Sequence, residues 1–340
     1  MNKDSVQPLV TVVIVNFNGM EVLPPCLEAV LGQDYPRFEV IVVDNGSSDG
    51  SDAIVQERFP AVRLIRSPVN LGFAGGNNLG FAEARGHYVA LLNNDTVPEH
   101  DWLSRLTAGL EQRGLALAAS QVVTDGVPAK EYEMNGTLNY LGYNLPQEFT
   151  DLETVFYCSA AALLIKRGAV DVLFPGEFFL YQEDVHLSWR LRLQGKTLGM
   201  VPESRVNHRG SFSAGRVAHP RIAYFQERNR LLNCLIFYQA TTLLRLVPYI
   251  LFDAVAKVLM GVLGRGKPLG AVLRAYAAVV ARLGWVITMR RSLQRTRTVS
   301  DQEILSLMTF RVVRGESAAG AMLNRLSRSY ARMIGLAFHA

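Results

Sequence analysis

The stretch Tyr88-Val-Ala-Leu-Leu92 is apolar throughout and ends on four polar residues, Asn93-Asn94-Asp95-Thr96. A short apolar run without alternation reads as a strand covered on both faces, as in a parallel sheet between helices. The same arrangement occurs twice upstream. Val10–Val15 ends on Asn16-Phe17-Asn18-Gly19, and Glu39–Val43 ends on Asp44-Asn45-Gly46-Ser47-Ser48-Asp49. Val62–Ile65 and Leu117–Val123 complete the expected strands, with helices over Met20–Leu31, Asp52–Phe59, Gly75–Arg85 and Glu99–Gln112. Strand and helix in alternation predict an α/β fold with a doubly wound, parallel sheet. Ligands of such sheets bind beyond the carboxyl ends of the strands. That is where this sequence gathers its polar residues.

The chain has 340 residues, 49% of them hydrophobic, enough for one large domain or one domain with a substantial appendage. Its net charge of +5 hides a division. Residues 1–215 hold 16 Lys/Arg against 25 Asp/Glu, whereas residues 216–340 hold 19 against 5. A basic half points to an anionic partner, a membrane surface or nucleic acid. Nucleic acid is disfavoured because no recognised module and no interleaved aromatics accompany the charge. Cys26, Cys158 and Cys234 are odd in number, distant and without a CxxC pair, so neither a disulfide framework nor a zinc site is expected. The apolar run Leu9–Val15 is too short for a signal peptide, which fits a cytoplasmic chain.

Residues 125–150 show little periodicity and read as a long surface loop or lid. Thr154–Ile165 returns to strand character, and Phe178–Gly195 reads as a strand end leading into a helix that Gly195 caps. From Tyr224 onward the pattern is helical. Leu243–Leu263 is apolar but interrupted by Arg245, Asp253 and Lys257, and Ala271–Met289 carries Arg274 and Arg282. Neither has the roughly 18 uninterrupted apolar residues of a spanning helix. Both suit helices lying in a membrane interface, with Arg290, Arg291, Arg295 and Arg297 beside anionic lipid. A helical pair folded onto the α/β domain is the alternative.

Several strand-end residues are candidates for chemistry, each with an ordinary structural reading beside it. Asp44 can accept hydrogen bonds from a nucleobase or ribose, or simply form a turn. Asn70 to Gly80 is glycine-rich, and glycines such as Gly72 let a backbone approach phosphate, yet the run fits neither the GxGxxG nor the P-loop spacing. Asp95, with Asn94 beside it, can offer oxygen to a hard divalent cation on a diphosphate, or cap the next helix. Glu183-Asp184 opens a helix whose dipole favours the ionised carboxylate that a general base needs, or that a cap needs. His208 is a lone histidine near a strand end.

Together, Val12-Val-Ile-Val-Asn-Phe-Asn-Gly19, Asp44-Asn-Gly-Ser-Ser-Asp49, Asn70-Leu-Gly-Phe-Ala-Gly-Gly-Asn77, Asn93-Asn-Asp95-Thr, Glu183-Asp184-Val and His208 resemble glycosyltransferase family 2. The nearest branch is rhamnosyltransferase-like, and the resemblance covers residues 9–215. It implies a GT-A fold over 1–215, with residues 216–340 as a basic helical extension. It further implies an inverting transfer from a dTDP-, UDP- or GDP-sugar to a glycan or polyprenyl-diphosphate-linked acceptor. Asn16, Asn18, Asp44, Asn70, Gly72, Asn94 and Asp95 would then bind the nucleotide sugar. Asp95 and His208 would hold Mg2+ or Mn2+, and Asp184 would be the base.

Departures stand beside it. Asn93 replaces the first aspartate of the DxD motif, His186 stands where an acidic residue is common, and Val172–Glu177 is compressed. A nucleotidyltransferase on the same sheet topology needs no residue like Asp184. A non-catalytic binding protein is motivated by Asn93, and a nicotinamide dehydrogenase is disfavoured by the missing glycine fingerprint.

Overall fold

The computed structural model describes residues 7–124, 127–128, 135–145, 155–208, 219–312 and 318–335. β1 (Val10–Asn16), α1 (Leu23–Leu31), β2 (Phe38–Asp44), α2 (Ser51–Arg58), β3 (Arg63–Arg66), α3 (Gly72–Glu83) and β4 (Tyr88–Asn93) alternate as expected. Their strands lie parallel in the order β3-β2-β1-β4. Successive side chains point to opposite faces. Val13, Ile41, Val43 and Leu91 enter one core, while Val12, Ile14, Val42 and Ala90 enter the other. Both faces are covered, so the strands carry no polar alternation.

The chain continues through β5 (Thr96–Pro98), α4 (Trp102–Gln112), β6 (Leu117–Thr124), β7 (Val127–Pro128), β8 (Asn135–Leu138), β9 (Asn144–Leu145), β10 (Tyr157–Cys158) and β11 (Ala162–Lys166). α5 (Glu183–Leu193) leads to β12 (Leu198–His208). Here the sheet departs from the all-parallel expectation. β11 lies antiparallel between β4 and β6, β12 runs parallel to β6, and β5 closes the edge antiparallel to β12. A parallel neighbour needs a helical crossover, and the described chain between β6 and β11 has none.

Two local expectations are corrected. The stretch read as a surface loop contains β8 and β9, with Asn139 and Tyr140 buried in the turn between them. Its remaining parts, 125–126, 129–134 and 146–150, lie outside the described residues. The strand expected over Thr154–Ile165 is broken into β10 and β11, with Thr154 outside the described residues.

Among the described residues five helices follow α6 (Pro220–Phe237): α7 (Ala240–Val262), α8 (Leu269–Ala281), α9 (Leu283–Arg295), α10 (Asp301–Ser306) and α11 (Ala318–Met333). α6 is largely buried. Its Leu232, Ile236 and Phe237 join the same hydrophobic cluster as Val13 of β1 and Trp189 of α5. The boundary expected at residue 215 falls within 209–218, outside the described residues.

α7 is amphipathic with its polar side inward. Asp253 and Lys257 meet Glu227 and Arg230 of α6 in a buried ion network, Lys257 Nζ lying 2.6 Å from Glu227 and 2.9 Å from Asp253. Leu244, Leu251, Phe252, Val255, Leu259 and Val262 are exposed. Among the described residues no single helix is long and apolar enough to cross a membrane. α8 and α9 reach that length and composition only together, bent by 63°.

Candidate active site

The register of the sheet sets the polar strand ends side by side. Asn16 sits opposite Asp44, and Val15 opposite Asn93. Asn16 is buried with its amide engaged at both ends. Its Oδ1 accepts from Asn94 Nδ2 at 2.9 Å, and its Nδ2 donates to Ser51 Oγ at 2.8 Å. Asn18, at φ 52°, ties the same loops together by accepting from the Ser48 amide. In this structure both residues therefore brace the ledge.

Asp44 is different. Its Oδ2 accepts only a long bond from the Ser47 amide, 3.3 Å, and its Oδ1 is buried with no partner among the described residues. An unmatched buried acceptor is unfavourable, and a hydroxyl or N–H from a ligand would satisfy it.

Asn70 accepts from the Gly72 amide at 2.8 Å and starts α3. Gly72, at φ +74°, is packed rather than open. A Cβ there would lie 2.3 Å from the Phe179 carbonyl oxygen and 2.6 Å from its ring. Gly76 and Gly80 likewise face Val15 and Val13, letting α3 settle close on β1. The glycine-rich run thus serves close packing of helix on sheet.

β5 pairs with β12 so that His208 lies opposite Thr96. This brings His208 Nε2 within 3.3 Å of Asp95 Oδ2. Neighbouring ligands of an octahedral ion with bonds of about 2.1 Å stand about 3 Å apart. The pair therefore fits two adjacent positions on one hard cation. Among the described residues no third His, Cys, Asp or Glu joins them.

Asp184 begins α5, and the path to it differs from the expected strand end. A 3-10 turn over Gly176–Phe178 is followed by positive φ at Phe179, Tyr181 and Gln182. The carboxylate accepts from the Val185 amide at 2.7 Å, and the Ala160 amide lies near enough to favour its charged form. Ala161, the next residue, accepts from the Asn93 amide at 2.9 Å. The Ala160-Ala161 turn between β10 and β11 thus lies between the Asp184 carboxylate and the end of β4, one residue short of Asn94-Asp95.

The dipole reading of Asp184 needs correction. Burial pushes its carboxyl up to about 6, outweighing the amides that favour the charged form. Glu183 is pushed well above the carboxylate range by burial and then by Asp184. His186 is pushed down to about 3 by burial. Its ring packs against Phe178 and Phe237, and its Nδ1 bonds to Asn233 Oδ1 at 2.9 Å. His186 is a neutral core residue.

Residues 11–174 match the sequence model of glycosyl transferase family 2. Over those residues the chain is similar to family 2 glycosyl transferases. Glycosyltransferase AglE of Haloferax volcanii is 30% identical over 138 residues, 38% of this chain and 45% of that protein. Succinoglycan biosynthesis protein ExoO of Rhizobium meliloti is 33% identical over 116 residues, 34% of this chain and 33% of that protein. The chain thus spans less than half of these curated relatives.

Two solved structures share the fold. S. aureus TarS 1–349 in complex with UDP aligns with a TM-score of 0.53 at 14% identity, over 96% of this chain and 89% of TarS. GalNAc-T7 with UDP, GalNAc and Mn2+ aligns at 0.57 and 16%, over 70% of this chain and 49% of its own. The fold is GT-A.

Several residues that build the site went unread in the sequence. Ser47 and Ser51 anchor Asn18 and Asn16, and Ala160 acts on Asp184 through its backbone amide, which no side-chain pattern reveals. Arg228, Asn229 and Asn233 of α6 approach the site from the helical region. Their signal was present, because five consecutive polar residues, Gln226 to Arg230, interrupt a largely apolar helix.

Proposed function

We propose that the chain is an inverting glycosyltransferase. It moves a sugar, rhamnose or similar, from a dTDP-, UDP- or GDP-sugar to a hydroxyl of a glycan or polyprenyl-diphosphate-linked saccharide. The process would be cell-surface polysaccharide synthesis, in keeping with the succinoglycan relative. The observation that carries this reading is the placement of Asp184 beside the Ala160-Ala161 turn, whose Ala161 carbonyl bonds the strand end bearing Asp95. A base and a diphosphate-binding edge then share one rigid support.

Asp44, with its unmatched oxygen, takes the ribose or base of the donor. Asn70, Gly72 and Asn94 shape the loops around the diphosphate, with Asn16 and Asn18 bracing them. Asp95 and His208 would hold Mg2+ or Mn2+. Such an ion, when bound, supplies positive charge to the nucleoside-diphosphate leaving group. Asp184 accepts the proton of the acceptor hydroxyl as that oxygen attacks the anomeric carbon opposite the leaving group. A carboxyl titrating near 6 is ionised at neutral pH and more basic than an exposed aspartate.

The second part of the proposal concerns place. The apolar side of α7 turns away from the protein, which supports peripheral docking on the anionic inner face of the cell membrane. Arg291 and Arg295 of α9 are exposed and available to lipid phosphate, whereas two expected contributors are occupied. Arg290 donates to the carbonyls of Leu235 and Tyr238, and Arg297 pairs with Asp301.

Replacing Asp184 by Asn is expected to abolish sugar transfer while nucleotide binding persists. Binding is read as thermal stabilisation by UDP, GDP or dTDP with Mn2+. Undiminished transfer by that variant would refute the assignment.

A further inference from the structure

The segment leading into Asp184 takes an unusual path. Phe179, at φ 60° and ψ −58°, sits at the centre of a tight turn closed by the Leu180 amide on the Phe178 carbonyl, 2.6 Å. This is the rare positive-φ γ-turn, a strained form. Tyr181 and Gln182 follow at φ 67° and 69°, and α5 begins immediately after. Non-glycine residues persist in such conformations only where their surroundings over-determine them.

Those surroundings come mostly from α6. Arg228 Nη2 donates to the carbonyls of Glu177 and Phe178, at 2.6 and 3.1 Å. Asn229 Nδ2 lies 2.9, 3.0 and 2.7 Å from the carbonyls of Phe178, Leu180 and Tyr181, which share its two hydrogens. Asn233 Nδ2 donates to the Gln182 carbonyl at 3.1 Å. The remaining carbonyl, that of Phe179, accepts from the Ala74 amide of α3 at 3.2 Å. Six consecutive carbonyls, 177 to 182, are therefore held, five of them by three side chains of one helix. The clamp is itself fixed. Arg228 Nε donates to Asn229 Oδ1 at 2.8 Å, which orients the amide toward the loop, and His186 does the same for Asn233. All three side chains are buried.

We infer that Asn229, with Arg228 and Asn233, is a positioning residue for Asp184: α6 holds the 177–182 backbone in the strained path that sets the carboxylate against the acceptor. The inference rests on Asp184 being the base. It gives the helical region a part in catalysis separate from membrane docking. The strain is released if the clamp is removed, and the start of α5 then relaxes away from Ala160. A displacement of about 1 Å in a catalytic group lowers turnover by about 10²-fold.

The test uses the full chain and its Asn229→Ala and Asn233→Ala variants. Release of nucleoside diphosphate is followed across pH, and UDP, GDP and dTDP with Mn2+ serve as thermal-shift probes. The expected result is a fall in kcat of about 10²-fold in Asn229→Ala and a smaller fall in Asn233→Ala, which releases only one of the loop carbonyls. Donor KM and nucleotide-induced stabilisation stay as in wild type. The acidic limb of kcat moves to lower pH, because a loosened Asp184 regains solvent.

Unchanged kcat in either folded variant overturns the inference. A fall with an unmoved pH limb and a matching rise in donor KM does so too, since that marks general damage. If Asn229→Ala does not fold, Asn233→Ala is read by the same criteria. A wild-type chain that turns over no nucleotide sugar sinks the transferase reading itself, and a fully active Asp184→Asn sinks the assignment of the base on which this inference rests. An inactive Asp184→Asn beside an intact Asn229→Ala sinks only this inference.

Discussion

Asp184 is set by two opposed influences. Amides of Val185 and Ala160 favour its carboxylate, and burial disfavours it more, leaving the group near 6. A base acts only when ionised, so kcat is expected to be level at neutral pH and to decline as pH falls through about 6. An acidic limb near 4, where an exposed aspartate titrates, would show that the carboxyl is not buried during turnover. At this scale the sequence was least decisive. Asp184 and Asp95 each had an equally ordinary reading as a helix cap, and nothing local separated the two. Asp44 and Asn16 show why. Both stand at strand ends, but one has an unmatched oxygen and the other a fully engaged amide.

α7 shows what an element's pattern conveys and what it omits. Its helical period was legible, as was the clustering of Asp253 and Lys257 on one side. Which side faced the protein was not. Those charges turn inward because α6 presents Glu227 and Arg230 to them. The apolar side is thereby left outward over Leu251, Val255 and Leu259. Replacing Leu251 and Val255 by Glu should leave Tm within a degree or so, since exposed positions contribute little. The same change should sharply reduce flotation with vesicles containing anionic lipid, because a charge opposes entry into the apolar layer. Equal flotation of variant and wild type would remove α7 as the docking element.

Across the whole molecule, one hydrophobic cluster runs from β1 through α5 to α6 and on to Leu246 of α7 and Ile304 of α10. The division at residue 215 suggested by charge therefore does not coincide with a break in packing. A fragment ending at 215 would lack Leu232, Ile236 and Phe237, all fully buried. Each such side chain contributes about 1.5–3 kcal/mol on burial, and net stability of a domain is only about 5–15 kcal/mol. That fragment is expected to show no cooperative thermal transition, whereas a fragment that melts cooperatively would establish an independent catalytic domain.

The sequence by itself determined the alternation of strands and helices, the parallel half of the sheet and the polar edge where the site lies. These follow from periodicity and turn residues, which act over a few neighbours. Tertiary structure decided the rest. It set the antiparallel β11, the inward charges of α7, and the raised carboxyl of Asp184. It also placed Asp95 by His208 and brought Asn229 to the loop before Asp184. Each of these depends on residues tens of positions apart meeting where water is excluded. Local pattern carries no record of such meetings.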